Sequence, residues 1–131
     1  MWRQQALDDL ARQPICGYRP SATPHSEPTA LTALALQSHG LTQEAAKAAH
    51  WLAKCQSQDG SLGVSSTEQQ PSWPTSLAVL VWKALGSAWS DRADRAIQWI
   101  ISVQGDTIEN TGNLVGHDTQ IPGWPWVQGT H

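Results

Sequence analysis

One apolar segment is written twice in this chain at a fixed spacing, and that spacing restricts the fold more than any other feature. Pro28-Thr29-Ala30-Leu31-Thr32-Ala33-Leu34-Ala35-Leu36 returns 46 positions later as Pro74-Thr75-Ser76-Leu77-Ala78-Val79-Leu80-Val81-Trp82, and Gly40 and Gly86 follow in the same register. A second apolar stretch comes after each glycine. It contains Ala48, Trp51, Leu52 and Gln56 in the first copy and Ala96, Trp99, Ile100 and Gln104 in the second, now 48 positions apart. A period of this size is that of helical hairpins stacked in an array, each unit burying its apolar face against its neighbours.

The 131 residues make one domain and are enough for a core. A net charge of −3 gives no support to nucleic-acid or anionic-membrane binding. No window is long and apolar enough to span a bilayer. The stretch Met1-Trp2-Arg3-Gln4-Gln5-Ala6-Leu7 lacks the apolar core of a secretion signal, so a cytoplasmic location is expected. Cys16 and Cys55 have no metal-type spacing and read as free thiols. Eight Trp beside one Tyr and no Phe is an unusual aromatic set, suited to packing between repeats or to an aromatic cavity.

Periodicity predicts helices over 2–13, 28–39, 43–57, 74–85 and 91–104. Residues 28–39 and 74–85 are apolar on all sides, which predicts burial. Residues 43–57 and 91–104 carry one apolar stripe, which predicts half-exposed helices. Thr42 and Ser90 are the expected N-caps, and Gly40 is an expected left-handed stop. The implied layout is a half repeat at 2–26, one repeat at 27–72, a second at 73–121 and the start of a further one at 122–131. Inner and outer helices alternate, three outer with two inner.

Lys47-Ala48-Ala49-His50-Trp51-Leu52, Gln56 and Gly60-Ser61-Leu62 together resemble the QW motif of the prenyltransferase and squalene-cyclase repeat family. Arg95-Ala96, Trp99, Ile100 and Gln104 match its first half again. Gln13 with Gly17-Tyr18 resembles the tail of an earlier copy, and Glu27-Pro28-Thr29-Ala30-Leu31 and Gly123-Trp124-Pro125-Trp126-Val127 resemble stretches of bacterial members. Leu62 stands where the motif ends in Trp. The resemblance implies an all-α protein of α/α-toroid type, here an incomplete ring, related to terpenoid cyclisation or prenyl transfer. It also implies a structural QW-type role for Trp51, Gln56, Gly60, Trp99 and Gln104. The glutamine amides suit the orphan carbonyls and loop donors at helix exits.

The chemistry of such relatives is missing from the sequence. There is no Asp-x-Asp-Asp acid, no thioester Cys-Gly-Glu-Gln, and no second close ligand to complete a zinc set around His50, Cys55 and Asp59. No catalytic residue, metal or cofactor is therefore expected, and the chain is expected to be inactive alone. Trp73, Trp82, Trp124 and Trp126 are the candidate cavity-lining residues, for an apolar isoprenoid-like ligand. Self-association, or further repeats of a longer chain, is expected from the apolar ends of the arc. The competing class is a non-catalytic helical-repeat binding module.

Overall fold

The computed structural model describes residues 1–109, 112, 116 and 118–124, and among them every regular element is helical. The α-helices are α1 (Trp2–Arg12), α2 (Ser26–Ser38), α3 (Thr42–Cys55), α4 (Thr75–Leu85) and α5 (Ser90–Ser102). A single 3₁₀ turn, Ser87–Trp89, leads into α5. All five lie where the apolar periodicity puts them. The caps differ by one residue: Thr42 and Ser90 are the first residues of their helices, after Leu41 and Trp89, and neither helix has a side-chain cap.

The helices form two hairpins, α2–α3 and α4–α5, which pack on each other mainly through α2 and α4, while α1 rests on α2. Small side chains make this close approach possible. Ala30, Ala33, Ala48, Ala49, Ala78, Ala93 and Ala96 are all buried around Leu52, Leu62, Val81 and Trp82. Gly40 takes φ +77° to end α2, and the Leu41 amide then bonds back to Leu36 O at 2.9 Å, as in a helix stop with a left-handed residue.

The two hairpins are held by the same device at the heads of α2 and α4. Thr29 accepts from the Cys16 amide at 3.2 Å and donates to Cys16 O at 3.0 Å. Thr75, its repeat counterpart, accepts from the Leu62 amide at 2.8 Å and donates to Ser72 O at 2.6 Å. Each threonine pins the incoming loop onto its helix. The counterpart of Leu62 is thus Cys16, with Gly17 matching Gly63, so the earlier copy runs in a different register from the Gln13 and Gly17-Tyr18 reading.

Helices α2 and α4 run parallel. At their heads, Ser26 donates its Oγ to Gly63 O at 2.6 Å and its amide to Val64 O at 2.8 Å, one step from the Leu62–Thr75 bond. At their tails, Gln37 Nε2 reaches Ala84 O at 3.3 Å. Full burial of α2 and α4 does not occur, however. Leu31 is 50% exposed and Leu80 55%. Helix α2 packs against α1, α3 and α4, and helix α4 against α2, α3 and α5, and these neighbours leave one apolar face of each uncovered. Helix α1 buries no side chain completely, and Trp2 is exposed. Both cysteines are free thiols. Cys55 is buried, and that desolvation pushes its pKa up to about 11.

Candidate functional site

Gln56 is the hub between the hairpins. It follows the last turn of α3, where helical carbonyls lack intrahelical donors. Its Nε2 donates to Gly60 O at 3.1 Å and to Arg92 O at 3.0 Å. Its Oε1 accepts from Arg92 Nη1 at 3.2 Å and from Arg95 Nη2 at 3.1 Å. Arg92 also reaches Ala53 O at 3.2 Å, an orphan carbonyl of α3. One amide therefore ties a helix end, the following loop and the first turns of α5. The two arginines are the part of this hub that the sequence analysis did not identify. They stand on the polar side of α5, where charge usually signals solvent.

Gly60 makes the hub possible. Its φ of +99° suits glycine, and a Cβ there would lie 2.4 Å from Arg95 O. Asp59 holds the turn by accepting from the Ser61 amide at 2.9 Å and Ser61 Oγ at 2.7 Å. Leu62 then enters the core. Trp51 is half-buried against the core. The second copy is not assembled in the same way. Trp99 is half-buried, while Gln104 is exposed and makes no side-chain bond among the described residues. Accordingly, Gln56→Ala is expected to cost about 1–3 kcal/mol, since it removes the bonds to Gly60 O, Arg92 O and the guanidinium groups of Arg92 and Arg95. Gln104→Ala should stay within about 0.5 kcal/mol. Thermal melts of the two variants check this, and equal shifts would contradict it.

The three candidate cavity tryptophans among the described residues differ in burial. Trp82 is fully buried and donates its indole N–H to Ala49 O at 3.4 Å. It fills the space between α4 and α3, not an open face. Trp124 is 60% exposed. Trp126 lies outside the described residues. Trp73 alone heads an inner helix, half-buried at the mouth of α4.

The open face of the inner helices is organised by spacing. Glu27, Leu31, Leu34 and Ser38 recur at i, i+4, i+7 and i+11 along α2. Leu77, Leu80 and Ala84 occupy the counterpart positions along α4, and Trp73, the counterpart of Glu27, stands in the turn before it. Because the helices are parallel and in contact, the two stripes lie side by side. Leu31 and Leu80 are half exposed, and Leu34 and Leu77 are partly covered by the core. The signal for this face was present in the sequence as two leucine stripes at helical spacing. It was masked because the same helices are apolar everywhere else.

At the head of the α2 stripe, Tyr18 donates its hydroxyl to Glu27 Oε2 at 2.6 Å. The ring of His25 sits 5.3 Å from that of Tyr18, and its Nδ1 donates to Thr23 O at 2.9 Å. The bond to the carboxylate pushes the phenol pKa up to about 12, because ionising Tyr18 would break it and set two anions together. Tyr18 is the only tyrosine in the chain, so tyrosinate absorbance reports it directly. At pH 11 about a tenth is expected to be ionised, against about nine-tenths for an ordinary phenol. Glu27→Gln should restore ordinary titration. An unchanged curve in that variant would contradict the pairing.

His50, Cys55 and Asp59 do not converge. His50 packs edge-on against Trp89 at 4.7 Å, Cys55 faces the core, and Asp59 is committed to its turn. Among the described residues no group of three His, Cys, Asp or Glu is placed to hold a metal ion. Among them, too, no helix is long and apolar enough to cross a membrane. Comparison of the chain with protein-family models, with curated proteins and with solved structures finds no match.

Proposed function

We propose that the chain is an arc of an α/α-toroid, of prenyltransferase and squalene-cyclase type, that binds an apolar isoprenoid-like chain and does not act on it alone. The observation that carries this reading is the pair of leucine stripes on the open face of α2 and α4. Solvent-facing leucines on two adjacent helices form a continuous apolar track, and such surfaces mark sites for apolar partners. The alternation of inner α2 and α4 with outer α1, α3 and α5 supports the toroid arrangement. So does the repeat-to-repeat hub at Gln56, whose position is that of the motif's glutamine.

The test is binding of squalene and farnesol, followed by fluorescence and by amide shifts. Leu31→Asp/Leu80→Asp should abolish it. Both residues are half exposed, so the fold should persist, and circular dichroism checks that. Shifts confined to Leu31, Leu34, Leu77 and Leu80 are the expected result. Binding that survives the double variant would move the site elsewhere. Product analysis after incubation with squalene or a prenyl diphosphate is expected to show no turnover, and turnover would overturn the non-catalytic part.

A further inference from the structure

We infer that Arg92 and Arg95, the two arginines of the Gln56 hub, form a binding site for a free phosphate-type anion. The inference stands apart from the apolar track and uses none of its residues. Gln56 Oε1 is a neutral acceptor, yet it receives two guanidinium groups, Arg92 Nη1 at 3.2 Å and Arg95 Nη2 at 3.1 Å. Two positive charges therefore meet on one uncharged oxygen. Like charges this close repel one another unless an anion offsets them.

The described residues supply no such anion. The ion pairs among them are Arg12–Asp9 and Lys83–Asp94, so neither Arg92 nor Arg95 has a carboxylate partner there. The acidic groups close to the hub in the chain are placed otherwise. Asp94 is on Lys83, Asp59 is committed to Ser61, and Asp91 is exposed and outside either ion pair. Lys54 follows Ala53, whose carbonyl Arg92 holds, and it is exposed and likewise outside either pair. Three of the eight basic residues of a chain with net charge −3 thus gather at the exit of α3.

The hub also leaves donors to spare. Arg92 Nε and Nη2 and Arg95 Nε and Nη1 make no hydrogen bond among the described residues. Arg92 is half-buried and fixed by Ala53 O and Gln56, while Arg95 is exposed. One guanidinium is pre-positioned and the other opens to solvent. A carboxylate is filled by a single guanidinium fork, whereas a tetrahedral phosphate offers oxygens to two forks at once. The pair therefore selects phosphate over carboxylate.

The experiment titrates inorganic phosphate into the full chain at constant ionic strength and follows the Nε–H signals of its five arginines by NMR. Saturable shifts are expected at Arg92 and Arg95, with Arg3, Arg12 and Arg19 unmoved. Acetate is expected to bind about tenfold more weakly than phosphate. Arg95→Gln should weaken phosphate binding about tenfold as well. Arg95 is exposed, so the variant should keep its fold, and circular dichroism checks that. Glycerol phosphate should bind as inorganic phosphate does, and vesicles of phosphatidic acid should not capture the protein. Equal shifts at all five arginines, equal affinity for acetate and phosphate, or unchanged affinity in Arg95→Gln overturns the site. Capture by the vesicles without a response to either free phosphate overturns the choice of a free anion.

Discussion

Trp82→Ala is expected to lower the unfolding free energy by about 3–5 kcal/mol, the range for truncating a large buried aromatic. For a chain of this size that is a fall of roughly 10–20 °C in melting temperature. The cause is position. Trp82 is the largest fully buried side chain among the described residues, and it joins α4 to α3 across the boundary between the two hairpins. Its loss would leave a cavity among alanines. Alanines cannot reach in to fill it, and their helices are held apart by backbone geometry. Calorimetry of the variant checks the magnitude. A shift no larger than that of an exposed substitution such as Trp124→Ala would mean that the hairpin boundary closes without the indole.

Gly60→Ala is expected to be comparably severe, at about 3 kcal/mol or more, although it adds only a methyl group. Two costs combine. The left-handed φ disfavours any Cβ by about 1–2 kcal/mol. The methyl would also press on Arg95 O, a backbone atom of α5 that cannot turn aside. Relief requires moving the first turns of α5, and that would pull Arg92 and Arg95 from Gln56. Gly40→Ala separates the two costs. It has φ +77° but open space around the new Cβ, so only the conformational penalty of about 1 kcal/mol applies. Chemical denaturation of both variants measures the difference. Equal losses would show that contact with α5 contributes nothing.

Much of this architecture is legible before any coordinates. The repeated Pro-Thr segment places α2 and α4, and the apolar stripes place α3 and α5. Gln56 also stands where a helix exit needs donors and acceptors. Other features are not legible. Thr29 and Thr75 act as loop anchors through hydroxyls that sit inside an apolar run, where nothing local distinguishes them from filler. Gln56 and Gln104 are equivalent in sequence and differ in structure, since only Gln56 has a following outer helix among the described residues to bind. Trp73 and Trp82 stand nine residues apart, but Trp73 lies in the turn before α4 and Trp82 within it, packed toward α3.

The period of apolar residues, together with Pro, Gly and Thr at fixed offsets, was sufficient to set which segments are helical and where each one stops. These are local effects of side-chain spacing and backbone conformation. Which side of an all-apolar helix is covered is not a local matter. It depends on where the neighbours of the helix stand, and those of α2 and α4 leave one face of each uncovered. That asymmetry leaves Leu31 and Leu80 open while it encloses Trp82.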